Sequence, residues 1–323
     1  HQLPWTVPHG CSQEHAARAW DGPSLIGCSS GDPDPDNKSR TDQIAIGKYV
    51  GVNKHEAQDV AQWADWGVDF LKYDWSPTDP ISLERMGRLV KAAPRDIVLS
   101  ICTDARLVDV DAIKTWANMW RGLPDTRDDW LNVLGNAFLM EDVRREDWRP
   151  HVSPGSWNDL DMFALGPQAS QRRPNRLSQD EQITAMTAWA LYPSPLILSC
   201  DLSALTDFEL RLFSNTEVIA VNQDPLGKPA VRLSERREQS FHTGQLLHNA
   251  RIWARSLADE SVAIGFFNLS ESSDLLSIDF KDLGLSGSIG ARNLWERRNM
   301  GRVQGQLSIE VPAHGAQLIL LTQ

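Results

Sequence analysis

The sequence predicts a parallel (β/α)8-type barrel followed by an antiparallel β-sandwich, and three observations carry that prediction. Between Lys54 and Asp224, helical spacing of apolar residues alternates with short apolar runs, the pattern of βα units. The runs repeatedly end in a polar residue, as parallel strands do where a barrel builds its site. After Pro225 the helical period stops, and short strands separated by Gly, Ser, Pro and Asp turns take over. The boundary is expected near Gly227–Ala230, giving a barrel-type domain over 1–228 and a β domain over 229–323.

Residues 1–48 carry little regular pattern, and SSGDPDPDNKSRTD reads as an exposed loop because Pro and Asp block helix and strand alike. HEAQDVAQWADWG places Ala57, Val60, Trp63 and Ala64 at helical spacing, and Gly67 closes it. VDFLKYD follows as a strand. SLERMGRLVKAA is an amphipathic helix leading into the strand DIVLSIC, and VDAIKTWANMW is partly helical before RGLPD. A helical region covers Asp128–Leu139, and PGSWNDLDMFALG reads as a strand and its loop. EQITAMTAWALY is a strong helix, PLILSCDL a fully apolar strand, and FELRLFSNTEVIAVNQD one last helix with an exit loop. The β domain is expected to hold ARIWARSL, SVAIGFFNLS, DLLSIDF, ARNLWER, GQLSIEVP and AQLILLT as strands.

Five barrel strands are convincing: those carrying Asp74, Cys102, Arg121, Asp159/Asp161 and Asp201, with HQLPW the tip of another. A closed barrel needs eight. The first strands are therefore expected to be missing, and a chain starting at His1 without a signal-peptide pattern is expected to be a processed product or a fragment.

A net charge of -11, with 32 Lys and Arg scattered among 43 Asp and Glu, disfavours nucleic acid. No stretch approaches the apolar length of a membrane span. Cys11, Cys28, Cys102 and Cys200 lack metal-ligand spacing; a Cys11–Cys28 bridge and free thiols both stay open. The eight His are dispersed with no HExxH, and SIGARNLWERR is too short and isolated for a nucleotide loop, so neither metal nor cofactor is expected. Of 13 Trp, eleven precede residue 228, which fits core bulk and an aromatic stacking site equally. Self-association into a homo-oligomer stays open. No targeting segment assigns a compartment, and secretion or a periplasmic location stays open.

Asp74 and Asp125 each end a short apolar run, where a carboxylate is costly unless it is hydrogen-bonded or chemically active. Two such carboxylates from successive strands can converge on one pocket, the usual arrangement for glycoside hydrolysis. Lys72, two residues before Asp74, faces the same way on a strand and helps keep it ionised. The ordinary alternative for Asp74 is a turn-capping aspartate. For Asp125 it is an exposed acidic turn, with Asp128 and Asp129 as nearby competitors. Arg121 suits a sugar hydroxyl or a carboxylate, and equally a surface ion pair. Strand alternation lets Asp159 and Asp161 share one face, with Asp159 tying down loops. Met162 fits packing as well as a site, and Trp75 fits the core as well as a stacking platform.

The motifs KYD, MWRxxxD, WNDxDM and NQDPLG, in that order, resemble glycoside hydrolase family 27, the α-galactosidase and α-N-acetylgalactosaminidase family. The resemblance covers about residues 45–323 and implies a barrel followed by an antiparallel β domain. It implies that Asp74 is the nucleophile and Asp125 the acid/base. It further implies that Lys72, Arg121, Asp161 and Met162 contact the sugar in the minus-one subsite. The family's tryptophan-containing first strand, and the aspartate pair that grips the galactose O4 and O6 hydroxyls, have no counterpart in the sequence. Thr103 stands where α-galactosidases usually carry glutamate and N-acetylgalactosaminidases serine. That change removes a charge and opens space near the sugar O2. The expected reaction is therefore retaining hydrolysis of an α-galactoside. The alternatives are an N-acetylgalactosaminide, a β-L-arabinopyranoside or an α-glucan as substrate, or an inactive sugar-binding relative.

Overall fold

The computed structural model describes residues 56–73, 80–102, 105–123, 125–139, 148–168, 173–239 and 246–323. Asp74, Trp75, Thr103, the loop expected over 1–48 and the Cys11–Cys28 pair lie outside the described residues. The chain divides into two compact units, residues 1–123 with 155–159, and residues 124–154 with 160–323.

The first unit holds helix α1 (Glu56–Asp65), strand β1 (Phe70–Tyr73), helix α2 (Pro80–Ala92), strand β2 (Val98–Ile101), helix α3 (Val110–Trp116), strand β3 (Met119–Trp120) and strand β4 (Trp157–Asn158). The four strands form one parallel sheet in chain order, with Lys72 opposite Ser100, Ile101 opposite Trp120, and Trp120 opposite Asn158. Parallel strands need such crossovers, and helices covering the sheet allow apolar runs like VLSI. On α1, Val60, Trp63 and Ala64 are buried as expected, but Ala57 is exposed. The inward place at that end belongs to Glu56, whose carboxylate is paired with Arg85 of α2 at 3.1 Å. Gly67 has φ +78, a left-handed stop that glycine adopts without steric cost. Gly87 lets α2 and α3 approach: a Cβ there would lie 2.6 Å from the Cβ of Trp116.

The second unit begins with helix α4 (Trp130–Leu134), which widens into a π-type turn over Gly135–Leu139. Helix α5 (Gln179–Leu191) starts in a capping box in which Ser178 and Glu181 satisfy each other's backbone N–H. The expected strand PLILSCDL is present as bridges: Phe163 pairs Leu198 in parallel, and Gln168 pairs Cys200. The expected last helix is two, α6 (Asp207–Phe213) and α7 (Thr216–Asn222). They are separate because Asn215 turns its side chain back to cap α7, accepting from the N–H of Glu217 and Val218.

The sandwich contains β5 (Val231–Gln239), β6 (Leu246–Ser256), β7 (Val262–Asn268), β8 (Asp274–Asp279), β9 (Ser288–Asn293), β10 (Arg298–Gln304), β11 (Gln306–Val311) and β12 (Ala316–Thr322). Six strands form an antiparallel sheet in the order β10-β9-β12-β7-β6-β5, and β11 pairs β8 in a second sheet. Ile264, Phe266, Ile278, Ile289, Leu307, Ile309 and Ile319 fill the space between the sheets. β7 is buried on both faces, unlike a strand with one wet side, because α5 and the π-type turn cover its back. A Cβ on Gly265 would lie 2.4 Å from Leu191 of α5, and Phe138 stacks edge-on against Phe267 at 5.0 Å. Arg255, fully buried on β6, donates from Nη1 to the carbonyls of Ala190 at 2.7 Å and Val221 at 2.5 Å, at the ends of α5 and α7. Burial lowers its pKa to about 10, which leaves it a cation beside two helix C-termini.

Candidate active site

The parallel sheet brings the sequence-predicted residues of the first unit to one edge. Beyond the last residue of each strand the ladder runs one bond further: Cys102 N donates to Tyr73 O at 3.1 Å, Arg121 N to Ile101 O at 3.1 Å, and Asp159 N to Trp120 O at 2.8 Å. Alternation along the strands then puts Lys72, Arg121 and Asp159 on one face, opposite Tyr73 and Trp120. Arg121 is only 3% exposed. A guanidinium buried at a strand tip needs acceptors around it, which distinguishes it from the surface ion pair that the sequence left open. Asp74 is the residue after Tyr73 in sequence, and two residues beyond Lys72.

The second unit brings Asp125, Asp161 and Met162 together around a single loop. Asp161 Oδ2 accepts the N–H of Thr126, the neighbour of Asp125, at 2.7 Å, and Oδ1 accepts the N–H of Met162 at 2.8 Å. Thr126 Oγ1 donates to Leu160 O at 3.2 Å and accepts from Asn136 Nδ2 at 3.0 Å. The indole N–H of Trp189 on α5 donates to Asp161 O at 2.9 Å. One expectation is corrected: Asp161 does not share a face with Asp159 by strand alternation. β4 ends at Asn158, and Asp161 has φ +86, a turn conformation in which the period of two no longer holds. Met162 is partly exposed.

Three neighbouring carboxylates, Asp125, Asp128 and Asp129, differ in their surroundings. Asp128 is buried and bonded by Arg173 at 2.5 and 2.9 Å, by Arg176 Nη2 at 3.2 Å and by the Arg176 N–H at 3.1 Å. Burial alone would raise its pKa, but the Arg173 and Arg176 hydrogen bonds and charges outweigh it and hold the carboxyl below the usual aspartate range. Asp129 is the N-cap of α4, accepting from Asn132 N at 2.9 Å. Asp125 is the exposed one of the three, and its carbonyl accepts from Asn132 Nδ2 at 3.1 Å. Asn132 also accepts from Arg127 N at 2.7 Å, so one side chain of α4 shapes the whole turn.

A pH dependence follows from Asp128. With its folded pKa lowered, its bonds stabilise the loop fully above the unfolded value of about 3.9 and are lost as pH falls through the lower folded value. Protection of the amides over 125–139, relative to their intrinsic exchange at each pH, is expected to fall below about pH 4, before the sandwich strands open, and Asp128→Asn should show that loss at neutral pH. A variant as protected as the parent at pH 7 would contradict this anchoring.

The comparisons with known proteins agree with this layout. The family model described as alpha galactosidase A matches residues 40–224, and that of the alpha galactosidase C-terminal β-sandwich domain matches 248–321. The α-galactosidase of Cyamopsis tetragonoloba is 31% identical over 286 residues, covering 87% of this chain and 64% of the relative. α-Galactosidase 2 of Arabidopsis thaliana is 32% identical over 279 residues, covering 83% and 64%. A solved β-L-arabinopyranosidase of glycoside hydrolase family 27 from Geobacillus stearothermophilus, in complex with arabinose, superposes with a TM-score of 0.76 at 26% identity. It covers 98% of this chain and 73% of its own. The chain spans about 64% of the length of the curated relatives it matches.

Proposed function

The chain belongs to glycoside hydrolase family 27, and we propose that it carries out retaining hydrolysis of a terminal α-linked galactose from oligosaccharides or polysaccharides. The observation that carries this reading is the shared sheet edge. Arg121 is buried there on the face of Lys72, and Asp74 follows β1 in sequence. In the proposed reaction, Asp74 attacks the anomeric carbon while Asp125 protonates the departing oxygen. The resulting glycosyl ester is hydrolysed by a water that Asp125 deprotonates, so the configuration at C1 is retained. Lys72 keeps Asp74 ionised, and Arg121, Asp161 and Met162 contact the sugar, with Trp75 as a stacking surface. The exposure of Asp125 supports its role, because an acid/base must exchange its proton with solvent between turnovers. The two carboxylates account for the reaction without a cofactor. We place the domain boundary between residues 228 and 229.

A second substrate is favoured by Thr103. A hydroxyl in place of glutamate would open the wall beside O2 to a C2 N-acetyl group, and a superposable neighbour, a β-L-arabinopyranosidase, suggests a β-L-arabinopyranoside as well. A β-L-arabinopyranoside has the ring configuration of an α-galactoside without the C6 hydroxymethyl group. The test is a parallel assay of aryl α-galactoside, α-N-acetylgalactosaminide, β-L-arabinopyranoside and α-glucoside, with a melting curve. Fastest turnover of the galactoside is expected. A clear preference for another glycoside would replace the substrate, and a folded chain that binds sugar without turnover would sink the enzymatic reading.

A further inference from the structure

We propose that His314, in the turn between β11 and β12 of the sandwich, is a positioning residue for Asp125 that acts through Trp130. The proposal rests on the acid/base role of Asp125 given above. The imidazole lies flat on the Trp130 indole, with ring centroids 4.5 Å apart and planes 19° from parallel. Its Nδ1 is hydrogen-bonded to Glu181 Oε1 at 2.8 Å, while Nε2 lies 3.1 Å from the exposed Glu271 Oε1 without a hydrogen-bond geometry. Glu181 is itself fixed, since its other oxygen accepts the N–H of Ser178 at 2.7 Å in the cap of α5. The backbone of His314 is pinned as well: Thr184 Oγ1 donates to its carbonyl at 2.7 Å, and its N–H donates to Ser270 O at 3.2 Å. The ring is thus braced at its Nδ1 edge and through its backbone, and presents its face to Trp130.

The backbone of this turn gives an independent reason to assign the side chain a purpose. His314 has φ +55, a conformation that glycine adopts freely and a residue with a Cβ does not. A turn selected for this φ alone would be better served by glycine. At position 314 the strain is offset by the contacts of the imidazole.

From Trp130 the route to Asp125 is short. Trp130 opens α4, whose Asn132 holds the carbonyl of Asp125 and the N–H of Arg127, and Asn136 one turn later bonds Thr126. Two further anchors grip the loop, Asp161 at Thr126 and the Arg173–Arg176 pair at Asp128. A segment gripped at two points can still swing about the line that joins them. The stack on His314 supplies a third point, so the sandwich takes part in setting where the proton donor sits.

The test is amide exchange and steady-state kinetics on His314→Gly and Trp130→Ala in the full chain. Glycine relieves the positive φ, so β7 and β12 should keep their protection and the melting temperature should hold. Amides of 125–136 should exchange about tenfold faster, the size of effect that losing one aromatic stack supports. With aryl glycosides, kcat should fall about tenfold for a poor leaving group and little for an activated one, at unchanged KM. Trp130→Ala should reproduce both results. Unchanged exchange over 125–136 in both variants would overturn the proposal, whether or not the chain turns over. Faster exchange with equal kcat losses for both leaving groups would instead overturn the role of Asp125 on which it rests.

Discussion

Asp74→Gly is expected to abolish turnover of ordinary glycosides while leaving the melting temperature nearly unchanged. A covalent nucleophile has no substitute among the remaining groups, because water cannot be activated on its face of the sugar. The expected loss is therefore at least roughly 10⁴-fold in kcat/KM. Lys72 and Arg121 are not lost with it, so substrate should still bind and protonation of the leaving oxygen should still be available. That asymmetry gives the decisive readout. With an activated aryl α-galactoside and added azide, the small anion can occupy the space vacated by the carboxylate and attack C1. The product should be a glycosyl azide of inverted configuration. An intact-mass measurement on the parent with a slow substrate should show the glycosyl adduct, and on Asp74→Gly none. Adduct formation at the parent level in the variant would remove Asp74 from the role, and an azide product of retained configuration would assign it to the acid/base instead.

The parts of the molecule that were legible in the sequence are those set by short-range periodicity. Val60, Trp63 and Ala64 point inward on α1 as their spacing requires, and β1 to β4 follow the apolar runs that name them. Ala57 was misleading because the inward place is taken by Glu56, which pairs with Arg85, 29 residues further along. Two sandwich strands gave only a weak apolar signal, Leu233 on one and Met300 and Val303 on the other. β5 is VRLSERREQ and β10 is RNMGRVQ, and they are the two edges of the six-stranded sheet. Charged residues on an edge strand discourage pairing with other chains, and so the physics that protects an edge also hides it from a reading of hydrophobic alternation. In the candidate site, motif spacing was enough to nominate Asp125 and Asp161. It could not show that Asp128 is tied up by hydrogen bonds, because those come from Arg173 and Arg176, 45 and 48 residues further along. Nor could it find His314, which reaches Trp130 across 184 residues of chain and carries no local motif.

For Asp125→Ala the expected result is a loss that depends on the leaving group. When the departing oxygen is a poor leaving group, such as another sugar, bond cleavage needs a proton, and removing the donor should cost about 10²–10⁴-fold in kcat/KM. A strongly activated aryl glycoside leaves without that proton, so its first step should be nearly unaffected. The second step still lacks its base, because the same carboxylate must deprotonate water. An activated substrate should therefore give a burst followed by slow turnover, with the glycosyl adduct accumulating. Azide, which needs no base, should restore turnover with retained configuration, opposite to its product with Asp74→Gly. The structure adds the control. Asp128 is held ionised by two arginines, a poor state for a proton donor, and Asp129 is committed to capping α4. Asp128→Asn should accordingly loosen the loop and lower rates for good and poor leaving groups alike. If it were Asp128→Asn that showed the split by leaving group, and Asp125→Ala that showed equal losses, the donor would be the buried carboxylate, and the exposure of Asp125 would have no catalytic meaning.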